Sequence, residues 1–392
     1  MANTSEEHPC RQLLDHCLRG EAWPAELLDR AIEEDDGRAL LSIVVERLGD
    51  LFEPRLCQVY RRLFAEVIER VAPELRERIR GPEIAHRAPI ASQLQTKRVY
   101  VLSRVTLGAD VAVTSVLMDA AKRRFPDAEI IFVGPRKSYE MFEADPRIDH
   151  SDAPYARTGS LAERLRASAE LWIDDGIVID PDSRLTQLGL ISVGPVDRYF
   201  HFESRAFGGE TQERLPALAS HWAREMLGVE NARAFVAPLP AEGEPADITM
   251  SLGVGENPAK RIGGDFEIDL LGILSASGKS ILIDKGGSDE ERDRVERLVD
   301  QSRISNVQTH DGSFAHFAAE IARSKLYAGY DSAGGHVASA CGVPVISVFA
   351  GAVSDRFAAR WSPTGTVIRA DNSTHRDVIN EVRHATAKTV EI

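Results

Sequence analysis

Small and polar residues fill the stretch from Asp331 to His336, which precedes a small-residue segment and the apolar run 345–349. Gly334 and Gly335 fall where a helix would begin, and helix N-termini offer unpaired N–H groups and a partial positive charge. Glycine also lets the backbone approach a ligand closely, so this pattern favours a nucleotide diphosphate. The residues predicted to bind it are Asp331, Ser332, Ala333, Gly334, Gly335 and His336. For His336, phosphate contact, loop orientation and simple packing all stay open.

A second glycine-containing loop follows the apolar run 248–252. It contains Gly253 and Gly255, and Lys260 near its end supplies a compact positive charge suited to phosphate. The spacing matches neither a Walker loop nor a complete dinucleotide fingerprint, so a solvated Lys-Arg pair is the alternative interpretation. We expect both loops to meet at neighbouring strand ends, which favours phosphate binding by Lys260.

Asp110 follows the apolar run 99–102 and a turn that contains Gly108. A carboxylate at this position would point toward a ligand cleft and could accept a proton. An aspartate at the start of a helix is also a common N-cap, because its oxygen accepts backbone N–H bonds. Both roles need the same position, so both interpretations stay open.

Three further polar residues or groups are candidates of a weaker kind. The triplet Asp180-Pro181-Asp182 resembles an oxygen site for a divalent metal, although a turn at the end of a strand explains it as well. Arg184 and Arg205 are candidates for the acceptor side of a cleft. The four cysteines form no C-x-x-C pair, so no metal site is predicted.

Composition narrows the class of protein. The 392 residues suffice for two or three domains, and 43% hydrophobic with 28% charged residues is typical of a soluble globular chain. A net charge of −14 argues against nucleic-acid binding. No run of about 18 apolar residues predicts a transmembrane helix, and the polar start is unlike a secretory signal, so a cytoplasmic location is expected.

The elements that must position these residues follow from hydrophobic periodicity. Residues 1–95 predict helices only, with a linker near 81–96, and the proline-rich stretch 238–245 predicts an interdomain linker. Buried parallel strands are predicted at 99–102, 130–133, 171–173, 177–179, 190–193, 248–252, 280–283, 326–328 and 345–349. Helices are predicted at 110–124, 216–227, 266–275, 290–301 and 313–323. This alternation favours α/β domains at 96–243 and 244–392 that follow a helical extension at 1–95.

Together these motifs resemble glycosyltransferase family 9, the ADP-heptose:lipopolysaccharide heptosyltransferases. The resemblance covers about residues 97–392 and depends on four segments in order. These are Arg98–Val133 with its Asp110, Gly253–Arg261 with its Lys260, Asp331–His336, and Trp361-Ser362-Pro363. Three residues depart from the family pattern, namely Ala109, Ile262 and Ala333, which replace a glycine, a tryptophan and a glycine.

The resemblance implies a GT-B architecture, in which two Rossmann-like domains face each other across a cleft. It implies inverting sugar transfer without a metal or cofactor, from a nucleotide-diphosphate donor such as ADP-heptose to an acceptor hydroxyl. Asp110 would be the base, and Lys260 would stabilise the leaving diphosphate.

Other readings stay open beside this one. Two alternative functions are a catalytically degenerate binding or assembly module and a sugar-nucleotide epimerase of related architecture. Oligomerisation through residues 1–95 and peripheral contact with another surface also remain open.

Overall fold

The computed structural model describes residues 8–81, 88–91, 93–153, 155–156, 158–255, 258–351, 353–370 and 373–390. The chain divides into two compact units. The first unit comprises Met1–Val105, Ala120–Arg136 and Arg147–Ala232. The second unit comprises Thr106–Asp119, Lys137–Pro146 and Arg233–Ile392. Each unit contains one parallel sheet, and the domain boundaries drawn after residues 95 and 243 stay a prediction.

The sheets are parallel throughout. The first unit contains β1 (Arg98–Leu102), β2 (Glu129–Gly134), β3 (Ile148–Asp152), β4 (Ile177–Asp180) and β5 (Tyr199–His201), in the order β3-β2-β1-β4-β5. The second unit contains β6 (Ile248–Ser251), β7 (Ile281–Asp284), β8 (Val307–His310), β9 (Leu326–Tyr330), β10 (Val345–Phe349) and β11 (Thr366–Arg369), in the order β11-β10-β9-β6-β7-β8. Both orders reverse at one pair of strands, as in doubly wound folds.

Helices surround these strands. They are α1 (Pro9–Arg19), α2 (Ala25–Glu33), α3 (Glu46–Asp50), α4 (Pro54–Val71), α5 (Leu107–Ala109), α6 (Ser115–Arg124), α7 (Arg136–Tyr139), α8 (Leu161–Glu170), α9 (Leu215–Leu227), α10 (Phe266–Ser275), α11 (Asp289–Ser302), α12 (Phe314–Arg323), α13 (Ala333–Cys341), α14 (Asp355–Trp361) and α15 (His375–Val390). A π-helical turn at Asp110–Thr114 joins α5 to α6. Within the ranges described above, no helix is both long and apolar enough to cross a membrane.

Two predicted strands are wrong. Residues 171–173 and 190–193 are not strands, although the backbone N–H of Ile173 donates to the carbonyl of Val193. Their apolar side chains pack onto the cores of the first unit from irregular backbone. Four strands were missed, namely β3, β5, β8 and β11. All four form sheet edges. Three of them, β3, β8 and β11, bury few side chains and so lack a long apolar run, whereas β5 is buried but only three residues long.

The N-terminal helices share a core with the rest of the first unit. Their apolar faces pack with Leu161, Leu188 and Ile191 in one buried cluster. The Tyr60 hydroxyl donates to the carbonyl of Gln187 at 2.9 Å. The guanidinium of Arg78 donates to four backbone carbonyls, those of Ser168, Ala169, Leu171 and Ser192. These apolar side chains are therefore buried within the chain, and oligomerisation through residues 1–95 stays a prediction.

The Asp-x-Asp triplet is a structural turn, as its ordinary interpretation predicts. Asp180 accepts hydrogen bonds from the Ser183 backbone N–H and from the hydroxyls of Thr186 and Tyr199. Asp182 accepts from both the Nε and Nη2 atoms of Arg205, at 3.0 and 3.2 Å. Both carboxylates are buried and are engaged by donors of the same unit.

Asp182 makes the stability of the first unit dependent on pH. Burial alone would raise the pKa of Asp182, but Arg205, His201 and Arg104 together lower it well below its ordinary value. The unfolded chain therefore takes up this proton first as the pH falls, and stability is lost below about pH 4, at up to about 1.4 kcal/mol per pH unit. We expect Asp182→Asn to be less stable at pH 7 and to lack this part of the slope. Urea unfolding between about pH 5 and pH 3 tests it, and an unchanged slope in Asp182→Asn would contradict it.

Candidate functional site

The candidate site lies at the carboxyl ends of β6 and β9, the neighbouring strands at which the order of the second sheet reverses. Ligands of doubly wound sheets bind at this kind of position. The two strands approach closely because Gly329 lies opposite Ser251, where a Cβ would clash with the Ser251 carbonyl. The loop after β6 leads to Lys260, and β9 ends directly before Asp331.

The structure brings Lys260 and Asp331 together. Lys260 Nζ lies 3.0 Å from Asp331 Oδ2, and both side chains are largely buried. The ammonium also lies 5.8 Å from the centre of the Phe357 ring. The alternative interpretation of Lys260 as a solvated surface cation is therefore wrong, because its charge is held at the sheet edge where a ligand would bind.

Helix α13 begins at the same edge without a side-chain cap. Its N-cap residue, Ser332, makes no capping hydrogen bond. The Ser332 hydroxyl lies instead 3.1 Å from the hydroxyl of Tyr327, which is fully buried in β9. The side chain that usually satisfies the first N–H groups of a helix is thus turned away from them. The N-terminus of α13 and the Lys260 ammonium together form a site for an anion at the carboxyl ends of β6 and β9.

Alanine fits at the position where the resembled family has glycine. Ala333 is the first residue of α13, and its φ is not positive. Gly334 and Gly335 follow it and are buried. A departure from glycine at Ala333 therefore requires no unusual backbone angle.

Gly334 tolerates no side chain, which gives a test of this turn. A Cβ at Gly334 would lie 2.6 Å from Cζ of the buried Tyr327 ring, whereas a Cβ at Gly335 would lie 3.5 Å from Pro363 Cγ. Overpacking of this kind costs about 1–3 kcal/mol. We expect Gly334→Ala to lower the free energy of unfolding by that amount in urea denaturation, and Gly335→Ala to change it far less. Equal losses in the two variants would contradict this packing.

Asp110 lies inside a helix, so its predicted role as an N-cap is wrong. The helix begins at Leu107 after Thr106, and the Asp110 N–H donates to the Thr106 carbonyl as an ordinary helical residue. The carboxyl group is fully buried, and its Oδ1 accepts from the Thr114 hydroxyl at 2.8 Å. Asp110 and Thr114 are one π-helical turn apart, which aligns their side chains.

The turn before Asp110 contacts the start of α13. A Cβ at Gly108 would lie 3.2 Å from His336 Cδ2 and 3.3 Å from Ala333 Cα. A side chain here would be tighter than most real contacts, so glycine favours this close approach. Asp110 follows Gly108 by two residues, so it lies close in the chain to the point that approaches the predicted donor residues. All of these residues belong to the second unit.

His336 packs beneath the start of α13. It is 8% exposed, and its ring meets Trp361 edge to face with the centres 5.8 Å apart. Burial lowers its pKa, and the charge of Lys260 lowers it further, although Asp331 opposes both. The imidazole is therefore neutral near pH 7, in keeping with a packing or orienting role.

The remaining predicted residues are placed as follows. Gly253 donates its N–H to Ser251 Oγ at 3.4 Å, and Gly255 has a φ of +62°, which favours glycine. Glu256 and Asn257 of the same predicted loop lie outside the described residues. Arg184 is half-buried in a 3₁₀ turn of the first unit.

Arg205, the second residue predicted on the acceptor side, is engaged within the first unit, and its acceptor-side role stays a prediction. Its guanidinium is buried, pairs with Asp182 and lies 4.8 Å from the centre of the Tyr60 ring. These contacts use the charge and one face of the guanidinium within the first unit.

Sequence analysis did not predict the residues that contact the candidate site residues and support their positions. Tyr327 positions Ser332, Thr114 contacts Asp110, and Phe357 lies beside Lys260. Tyr327 was detectable, because an aromatic hydroxyl in an apolar strand needs a partner when it is buried. No pattern in the sequence indicates the contacts of Thr114 or Phe357.

Comparison with known proteins finds similarity to a glycosyltransferase family and to solved structures of the same fold. Residues 265–385 match the family model of glycosyltransferase family 9 (heptosyltransferase). No curated protein sequence matches this chain.

Three solved structures resemble the fold. E. coli heptosyltransferase WaaC, solved with ADP, is 16% identical with a TM-score of 0.57, over 74% of this chain and 99% of its own. A family 9 glycosyltransferase from Veillonella parvula is 17% identical with a TM-score of 0.56, over 76% and 98% of the two chains. E. coli ADP-heptose lps heptosyltransferase II is 17% identical with a TM-score of 0.51, over 74% and 99%. The likeness confirms the predicted GT-B fold class.

Proposed function

We propose that this chain, a glycosyltransferase that belongs to family 9 through its residues 265–385, transfers a sugar from a nucleotide-diphosphate donor to an acceptor hydroxyl by an inverting, metal-independent reaction. The observation that carries the proposal is the position of Lys260 beside the uncapped N-terminus of α13. A cation and a helix N-terminus at one sheet edge form a site that suits a diphosphate.

Lys260 and the start of α13 would act on the leaving diphosphate. As the bond between the sugar and the phosphate oxygen breaks, its electron pair passes to the diphosphate, whose negative charge rises. Lys260 and the N–H groups at the start of α13 would stabilise that charge where it develops. These groups supply the positive charge that a bound metal supplies in other transferases, which supports a metal-independent reaction.

Asp110 is the proposed base. A bond forms between the acceptor oxygen and the anomeric carbon on the face opposite the leaving diphosphate, so the configuration inverts. The proton of the acceptor hydroxyl passes to the Asp110 carboxylate. The contact of Gly108 with Ala333 and His336 supports this assignment, because it places Asp110 near the donor turn. Since the carboxyl group is fully buried, the acceptor hydroxyl must enter the interior of this turn to reach it.

The donor is proposed to be an ADP-sugar, with ADP-heptose as the first candidate. E. coli WaaC was solved with ADP, and this supports the choice of nucleotide to be tested first. The matching test is calorimetry of the chain with ADP-heptose and with UDP-, GDP- and dTDP-sugars. Lys260→Met serves as the control that links any binding to the proposed site.

Three outcomes separate the functions. Binding that Lys260→Met abolishes, followed by transfer to an added acceptor, supports the proposal. Binding without transfer indicates a binding module, and a changed sugar nucleotide without any acceptor indicates an epimerase. Absence of binding to every sugar nucleotide would refute the proposed donor site.

A further inference from the structure

The loop that carries Lys260 is fixed at the end of the strand from which it leaves. The Arg294 Nη2 atom donates to the carbonyl of Leu252 at 2.8 Å, directly after β6. The same guanidinium pairs through Nη1 with the carboxylate of Glu267. Both side chains are only 15% exposed, so water weakens this pair little.

The far end of the loop is fixed by Tyr330. The N–H of Ile262, two residues after Lys260, donates to the Tyr330 hydroxyl at 3.2 Å. This hydroxyl also interacts with the Glu267 carboxylate, and it can donate to the carboxylate while it accepts from Ile262. Burial and then the charge of Glu267 raise the pKa of Tyr330, so the phenol keeps its proton at neutral pH.

The last residue of β9 and the residue after it thus hold the two ends of the short segment from Lys260 to Ile262. Tyr330 is the last residue of β9 and holds the backbone at Ile262. Asp331, the next residue, pairs with the ammonium of Lys260 at 3.0 Å. The Tyr330 ring is buried against Phe266, with the ring centres 5.9 Å apart, so its hydroxyl is held in place.

We propose that Tyr330, supported by Glu267 and Arg294, is a positioning residue that sets the location of Lys260. The positioning of Lys260 does not depend on the proposed function. Its consequence, contact of the ammonium with the donor diphosphate, rests on that function. Ile262 takes part through its backbone N–H, so the departure from tryptophan at that position leaves this contact intact. The position of the ammonium matters because a displacement of about 1 Å is enough to weaken catalysis strongly.

The first experiment measures Lys260 itself and needs no donor. An amine-reactive reagent is added, and modification of Lys260 is followed by mass spectrometry. Tyr330→Phe removes the hydroxyl and keeps the ring, so we expect Lys260 to react about fivefold faster, the factor that one lost hydrogen bond would give. The matched control is Tyr199→Phe, which removes a buried hydroxyl that donates to a carboxylate in the first unit.

The second experiment measures ADP affinity by calorimetry in the wild type, in Tyr330→Phe, in Lys260→Met and in the double variant. We expect Tyr330→Phe to weaken ADP binding about fivefold in the wild-type background and to have no further effect in Lys260→Met. Equal weakening in both backgrounds would show that Tyr330 does not act through Lys260 and would overturn the proposal, as would an unchanged rate of Lys260 modification.

The two experiments separate the two proposals. If the wild-type chain binds no ADP while Lys260 modification still depends on Tyr330, the proposed donor is wrong and the positioning role stands. If Tyr330→Phe fails to fold, Glu267→Gln takes its place. This variant keeps the size of the side chain and removes the charge that holds Arg294 and Tyr330, so Lys260 modification should again be faster than in wild type.

Discussion

Replacing Lys260 with methionine is expected to lower sugar transfer about 100- to 1,000-fold, the usual effect of removing one group that stabilises a developing anion. Methionine keeps most of the length and apolar character of the lysine stem but carries no charge. Lys260 is the cation that the structure holds beside Asp331 and the start of α13. Steady-state kinetics with the sugar nucleotide identified by calorimetry would measure the loss.

A lysine at the opposite end of the same strand provides the control. Lys325 directly precedes β9, and its Nζ lies 2.8 Å from Asp247 Oδ1. Lys325→Met therefore also removes a lysine from an ion pair with an aspartate, here the residue that directly precedes β6, at the amino ends of the strands. We expect it to retain transfer within a factor of about two, because exposed ion pairs contribute little. Equal losses in the two variants would mean that Lys260 has no special role.

Asp110→Asn is expected to reduce transfer about 100- to 10,000-fold while donor affinity changes little. The amide can still accept a hydrogen bond from Thr114, so the helix should keep its structure, but it cannot take up the acceptor proton. Transfer should be measured together with calorimetry of the donor. A loss of donor binding equal to the loss of rate would indicate a structural role for the buried carboxyl group instead of a base.

Thr114→Val provides a second comparison for this site. It removes the hydroxyl that contacts Asp110 and keeps the shape of the side chain. If Asp110 is the base, the valine variant should retain more transfer than Asp110→Asn, because the carboxylate itself remains. Full turnover by Asp110→Asn would exclude the base assignment.

The central strands of both sheets could be predicted from sequence because they are buried on both faces. The apolar runs at β1, β2, β6, β9 and β10 carry that signal, and each forms a strand in the structure. Edge strands such as β8, with the sequence Val-Gln-Thr-His, are half exposed and lack it. The apolar segment 190–193 was wrongly predicted as a strand, because its side chains are buried by packing outside the sheet.

The part of the candidate site that lies at strand ends and in glycine-containing loops could be predicted from the sequence. Lys260 and Asp331 meet because the strands before them are neighbours, which follows from the doubly wound order. The contacts behind them were not predictable. Tyr330 reaches Ile262 across 68 residues, and Arg294 reaches Leu252 across 42. Such contacts depend on tertiary packing that no local pattern encodes.

The shared core of the N-terminal helices has an evolutionary consequence. Because Tyr60 and Arg78 are bonded to backbone groups between residues 168 and 192, we expect the N-terminal helices and this segment to be inherited together. A recombination event that exchanged only the segment 168–192 would leave the guanidinium of Arg78 facing carbonyls in altered positions.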